Sequence, residues 1–227
     1  MYTLYIANKN YSSWSLRPWV LMRELGIPFD ERLVPFEGGG SWNTFRTFSP
    51  SGKVPCLVDG ENTIWDSLSI SEYLAETHRA VWPADAGTRA WARSAAAEMH
   101  SGFFALRENC SMSCGVRVRL HETSDALERD LQRLDEHWME GLKRFGGPFL
   151  SGASFGAVDA FYAPVAFRIQ TYGLDLGDTA AQYVSRLLNL PSMKEWYTAA
   201  LAEPWRESLH EDEVTRRGAI LQDLRAL

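Results

Sequence analysis

The pattern of apolar residues changes character about a third of the way along the chain, and that change constrains the fold more than any single motif. Up to residue 78, strand and helix signals alternate. Tyr2–Ala7 is a short β-type run. Leu16–Leu25 has helical periodicity and ends at Gly26, a residue suited to a helix C-terminus. Phe29–Phe36 mixes apolar and charged residues as a half-buried strand does. Val54–Val58 and Thr63–Trp65 flank Asp59-Gly60, a strong hairpin signal. A second helix follows, with Ile70, Tyr73 and Leu74 on one face and Ser69 and Glu72 in capping-box spacing. The order β-α-β-loop-β-β-α implies a mixed sheet with one hairpin, because strands joined through a helix tend to become parallel neighbours.

From about residue 88 the chain carries helix signals only. Thr88–Asn109 is alanine-rich and periodic. Asp125–Phe145 places Leu127, Leu131, Leu134, Trp138, Leu142 and Phe145 three or four apart, a strongly amphipathic helix, with Asp125 and Glu128 available to cap it. Val158–Tyr172 is apolar almost throughout and reads as the centre of a bundle. Pro191 and Pro204 bracket one more helix. Pro83 and Gly87 interrupt the pattern between the halves. The expected fold is an α/β domain over residues 1–80 and an all-α domain over residues 88–227.

Composition removes several function classes. The 227 residues are 45% hydrophobic and 23% charged, which excludes disordered, collagenous and disulfide-scaffold chains. Net charge is -6 and no basic block is present, a poor basis for binding nucleic acid. No apolar run approaches the roughly 18 residues of a membrane span. The N-terminus lacks the basic and apolar regions of a signal peptide, so a cytoplasmic location is expected. Cys56, Cys110 and Cys114 are odd in number, without CxxC or zinc spacing. Cys110 and Cys114 read either as packing residues on one helix face or as a redox pair, with packing favoured. His100 and His121 have no ligand spacing, and no metal is expected.

Three segments could carry chemistry. In Tyr11-Ser12-Ser13-Trp14-Ser15-Leu16-Arg17-Pro18, proline is tolerated only in a first helical turn. The helix therefore starts no earlier than about Ser15, which would be its N-cap. Ser12 and Ser13 would then lie just ahead of a helix N-terminus, where free N–H groups and roughly +0.5 charge favour an anion such as a thiolate. The alternative, favoured by spacing alone, is that the three serines are simply caps. In Lys53-Val54-Pro55-Cys56, a cis Val54-Pro55 bond would free the Val54 backbone to pair with an extended peptide, whereas a trans bond would make an ordinary strand edge. Asp66-Ser67 precedes the second helix. It offers either N–H groups to a carboxylate and a side chain to an ammonium, or a plain capping pair.

In this order and spacing, the three segments resemble the glutathione transferase family over nearly the whole chain. The resemblance implies a thioredoxin-like N-terminal domain that binds glutathione, and a helical domain that contributes an electrophile site. Gly156-Ala157-Val158-Asp159 falls where the family has Ser/Thr-x-x-Asp, with Gly156 in place of the capping hydroxyl. The active-site loop is similar to the serine-type classes, zeta among them, whose Ser-Ser-Cys-Ser-Trp-Arg aligns with Ser12-Ser13-Trp14-Ser15-Leu16-Arg17. That alignment places the catalytic hydroxyl at Ser12. By the same resemblance Lys53 reaches the glycine carboxylate of glutathione, Val54-Pro55 pairs with its cysteinyl unit, and Asp66 and Ser67 hold its γ-glutamyl end. Trp14 replaces the zeta cysteine. The arginine that zeta members use for a dicarboxylate aligns with Thr171, and the nearest arginine is Arg168. Candidates for the electrophile site are Trp14, Phe36, Phe103, Phe104, Arg107 and Met112. The implied protein is a homodimeric, metal-free detoxification enzyme. It takes glutathione as co-substrate and conjugates it to an electrophile or uses it to reduce a peroxide. The alternative is a non-catalytic interaction or ligand-binding protein on the same fold.

Overall fold

A computed structural model describes residues 1–225. Strand β1 (Tyr2–Ile6) leads through helix α1 (Ser13–Glu24) to β2 (Phe29–Leu33). The helical crossover sets β1 and β2 parallel, with Tyr2 opposite Phe29. After the short helix α2 (Trp42–Phe45), strands β3 (Cys56–Asp59) and β4 (Asn62–Trp65) form the expected hairpin. Gly60 takes the positive φ its turn requires. The sheet order is β2-β1-β3-β4, with β3 antiparallel to β1, and α3 (Ser67–Thr77) completes this half. The mixed α/β half is as the alternation of signals implied, and the Val54-Pro55 bond is cis.

The helical half contains α4 (Ala86–Ser101), α5 (Phe104–Asn109), α6 (Asp125–Phe145), α7 (Ala157–Tyr172), α8 (Asp178–Leu188), α9 (Pro191–Ala202) and α10 (Ser208–Arg217). α7 is buried along almost its whole length and packs against α1, α4 and α8. It carries the core from one half into the other, which is why its sequence lacks an amphipathic stripe.

Four expectations need correction. α1 begins at Ser13 with Ser12 at the cap position, so Ser15 is inside the helix and Pro18 is an interior proline. Leu16, Trp19, Val20, Leu21 and Met22 are all fully buried, and that packing outweighs the lost N–H of one proline. The strand expected over Phe29–Phe36 ends at Leu33. The expected continuous helix over Thr88–Asn109 breaks between α4 and α5, where Phe103 takes a left-handed backbone. A side chain at Gly102 would meet the Glu98 carbonyl at 2.8 Å. The helical half also holds a two-stranded antiparallel ribbon of β5 (Val116–Leu120) and β6 (Gly218–Asp223) that the helix-only reading missed. Finer detail differs too: the side-chain cap of α6 is Ser124, whose hydroxyl accepts from Leu127 N–H, rather than Asp125.

Candidate active site

The loop from β1 to α1 is anchored in the helical half. Glu203 accepts from the backbone N–H groups of Lys9 (2.6 Å) and Asn10 (3.2 Å), and the Trp196 indole donates to the Lys9 carbonyl at 2.8 Å. Asn10 in turn accepts from Cys114 N–H at 3.1 Å. These contacts fix the start of α1 at the seam between the halves. A cavity of about 560 Å³ opens there. Tyr11, Ser12, Ser13 and Trp14 form one wall, and Phe36, Lys53 and Val54 come from the sheet side. Arg107 and Met112 border it from α5 and the loop beyond, Arg168 from α7, and Glu207 and His210 from the start of α10.

Ser12 is 4% exposed and donates its hydroxyl to Ser15 Oγ at 2.7 Å; Ser15 Oγ also accepts from Ala7 N–H at 3.3 Å. Ser15 is fully buried and does not reach the cavity. Ser13 does reach it, and its Oγ lies 3.4 Å from the Arg168 guanidinium. Tyr11 is the other hydroxyl in the wall. It donates to Glu211 Oε1 at 2.6 Å and accepts from Arg225 at 3.2 Å. Burial first, and then the bond to Glu211, pushes its pKa up to about 12, so the phenol keeps its proton and spends it on Glu211. Ser12 and Ser13 are the remaining hydroxyls of this wall.

Asp66 and Ser67 do not line the cavity. They adjoin it through Arg17, a buried guanidinium stacked 4.1 Å from the centre of the Trp14 ring, whose Nη1 lies 3.5 Å from Ser67 Oγ. Asp66 caps α3, with Oδ1 accepting from Leu68 N–H at 2.8 Å. Its Oδ2 is 3.5 Å from His100 Nε2. Burial, ahead of the opposing Asp66 charge, holds the His100 pKa below its usual value.

Of the residues suggested for the electrophile site, Trp14, Phe36, Arg107 and Met112 border the cavity. Phe103 does not: its left-handed backbone at the α4–α5 break turns the ring into the core. Phe104 points out to solvent on the next residue. Pro55 also stands outside the lining, next to Val54 within it. Arg168, noted in the sequence only as the arginine nearest Thr171, also borders the cavity, and sequence reasoning missed two more residues, Glu207 and His210. The last two form a contact of 2.7 Å between Glu207 Oε2 and His210 Nδ1, and the imidazole stacks on Tyr11 and tilts against Phe36. Nothing in the spacing past Pro204 marks that helix as part of a site. The cysteines are buried, and burial pushes the Cys110 thiol up to about 12 and raises Cys56 and Cys114 as well. None borders the cavity.

Comparison with known proteins gives the family of each half. Residues 11–77 match the family model for the glutathione S-transferase N-terminal domain, and residues 90–199 match that for the C-terminal domain. The chain is 25% identical over 201 residues to a probable maleylacetoacetate isomerase from Vibrio cholerae, covering 81% of this chain and 90% of that one. A dichloromethane dehalogenase from Methylorubrum extorquens is 40% identical over 57 residues, which is 24% of this chain and 20% of that protein. Among solved structures, a Burkholderia glutathione transferase homolog with bound glutathione superposes with a TM-score of 0.64 at 24% identity, covering 88% of this chain and 97% of that one. With both halves matched in order and the fold shared along the chain, this protein belongs to the glutathione S-transferase family.

Proposed function

We propose that the cavity at the start of α1 binds glutathione and holds its sulfur as a thiolate beside Ser12, for conjugation to an electrophile or reduction of a peroxide. The observation that carries this reading is the wall at the helix N-terminus. It presents Ser12 and Ser13, while Tyr11 is committed to Glu211 and the cysteines are buried elsewhere. A thiolate there meets the positive end of α1, worth about 0.3–1 kcal/mol, and a serine hydroxyl adds about 1.5–3 kcal/mol as a hydrogen bond to charge. Together these lower a thiol pKa by about one to three units at about 1.4 kcal/mol each. Ser12 is a donor rather than a nucleophile, because it bonds Ser15 and has no base to take its proton.

In conjugation the thiolate forms a carbon–sulfur bond and the leaving group departs with its electron pair. In peroxide reduction the thiolate attacks one peroxide oxygen and the other leaves with the bonding pair to be protonated; a second glutathione thiol then releases the oxidised disulfide and water. In this reading Lys53 meets the glycyl carboxylate, the Val54 backbone beside Pro55 pairs with the cysteinyl unit, and Asp66 and Ser67 hold the γ-glutamyl end. The enzyme is a cytoplasmic homodimer that needs no metal. The Burkholderia relative solved with bound glutathione supports the choice of ligand. Calorimetric titration with glutathione tests the reading: saturable binding is expected, and no heat at millimolar glutathione contradicts it. A panel of haloarenes and hydroperoxides then separates catalysis from mere binding, with turnover of neither class favouring the non-catalytic alternative.

A further inference from the structure

His210 is the one imidazole among the described residues that borders the cavity, and three contacts fix its ring. Tyr11 stacks on it, with 5.0 Å between ring centres and 21° between planes. Phe36 tilts against it at 5.0 Å and 32°. At the ring edge, Nδ1 lies 2.7 Å from Glu207 Oε2. Glu207 is itself buried and caps α10, the same Oε2 accepting from His210 N–H at 2.9 Å. A helix cap needs only that backbone bond. The second bond, to the ring, is the arrangement by which a carboxylate orients an imidazole for proton transfer.

Burial alone would raise the Glu207 pKa, but the bonds from the His210 backbone and ring outweigh it and hold the carboxyl below its usual range. An ionised carboxylate only accepts, so Nδ1 carries the hydrogen of that bond and Nε2 is left to exchange a proton. Nε2 makes no hydrogen bond among the described residues. The other donors on the wall are poorly suited to the task. Tyr11 keeps its proton for Glu211, and Ser12 directs its own to Ser15. The guanidiniums of Arg107 and Arg168 do not release a proton at neutral pH. In the reading above, Lys53 meets the glycyl carboxylate.

We propose that His210 is the proton donor to a leaving oxygen, that Glu207 is its positioning residue, and that the second substrate is accordingly an organic hydroperoxide. The proposal rests on the reading of this cavity as the glutathione site. Trp14, Phe36, Phe45 and Met112 give the cavity an apolar wall for the organic body. A departing halide needs no proton and would leave the imidazole without a task. A departing alkoxide is a strong base, and a donor placed beside it contributes about 10²–10⁴-fold. The thiolate sulfur forms a bond to the terminal peroxide oxygen, the O–O bond breaks, and its electron pair leaves on the other oxygen. That oxygen takes the Nε2 proton, giving an alcohol and glutathione sulfenic acid. The thiolate of a second glutathione attacks the sulfenic sulfur, forming the disulfide and expelling hydroxide. The two thiols release two protons on ionising; one restores Nε2 and one converts the hydroxide to water.

The test compares cumene hydroperoxide with chlorodinitrobenzene, which needs the same thiolate and loses chloride. His210→Gln and His210→Phe should each lower kcat/KM for the hydroperoxide at least about tenfold more than for chlorodinitrobenzene. The phenylalanine variant keeps a ring against Tyr11 and Phe36, so a selective loss there is not lost packing. Glu207→Gln should give a smaller selective loss, carried by kcat rather than KM. Peroxybenzoic acid, whose leaving benzoate needs no proton, should lose less than cumene hydroperoxide in the same variants, and it serves as the comparison if only peroxides turn over. Equal losses toward substrates that need the proton and those that do not overturn the proposal. Conjugation without any hydroperoxide reduction in wild type also overturns it, while leaving the glutathione reading intact. Glutathione bound with neither class turned over overturns it too and favours the non-catalytic alternative. No glutathione binding by calorimetry removes the underlying reading and the proposal together.

Discussion

A hydroxyl has one proton to donate, and Ser12 directs its own to Ser15. In the proposed complex with a thiolate, the Ser12 rotor would turn toward sulfur and Ser15 would donate back to Ser12 Oγ, with Ala7 N–H still holding Ser15. Hydroxyls in such a chain polarise one another. Ser15→Ala should therefore raise the pKa of bound glutathione, by less than Ser12→Ala does, as read from thiolate absorbance against pH. An unchanged titration in Ser15→Ala would mean that Ser12 acts alone. Asp66→Ala should weaken glutathione binding by about 1.5 kcal/mol, the low end for a hydrogen bond to charge, because that carboxylate is nearly half exposed. Calorimetry checks it, and an unchanged Kd removes Asp66 from the site. The serine loop ahead of a helix was legible in the sequence from Pro18 and the serines before it, while the choice of Ser12 within it came from the family resemblance. The Ser12–Ser15 bond was not legible, because the proline rule placed the helix start too late and made Ser15 a cap.

At the scale of an element, α7 is the one to test. Gly156 brings no side chain to its start, but Asp159 reaches back: Oδ2 accepts from Gly156 N–H at 3.0 Å. Its Oδ1 accepts from Leu150 N–H at 3.0 Å and from the Tyr183 hydroxyl at 2.8 Å. Asp159→Ala would leave three buried donors unpaired, at about 1–3 kcal/mol each before relaxation. A loss of at least about 3 kcal/mol is expected, with Tm falling about 2–4 °C for each kcal/mol in a chain this size. A Tm within a degree or two of wild type would show that the cap is dispensable. Burial outweighs these donors and pushes the Asp159 pKa up to about 6. The folded state thus holds this proton more tightly than the unfolded one, whose carboxyl titrates near 3.9. The stability difference between wild type and Asp159→Asn should shift against the wild type as pH rises from about 4 to about 6, then level off. A flat difference across that window would place the pKa in the ordinary range. The cap motif followed from the family resemblance; its link to Leu150 and Tyr183 could not be read, since neither lies within a helical turn of it.

Across the whole molecule, legibility followed the distance between partners. The sheet half was readable because its hairpin and crossover are local. The β5–β6 ribbon was missed although Val116, Val118 and Leu120 alternate with arginines, because the run is short and its partner strand lies at the far end of the chain. The far wall of the cavity escaped for a similar reason, since Arg168 meets Ser13 and His210 meets Tyr11 only after the halves pack. Exposed Phe104 and Met139 are of the types that subunit interfaces cover. Light scattering should accordingly give twice 25.7 kDa at micromolar concentration, and a single 25.7 kDa species would contradict the dimer. The central claim is that Ser12, at the N-terminus of α1, stabilises the thiolate of bound glutathione. The most direct measurement is the thiolate absorbance of the binary complex against pH for wild type, Ser12→Ala and Ser13→Ala. A depressed thiol pKa is expected in wild type, rising by at least about one unit in Ser12→Ala and moving less in Ser13→Ala. A titration unchanged by Ser12→Ala but shifted by Ser13→Ala would contradict it and move the thiolate to the hydroxyl beside Arg168.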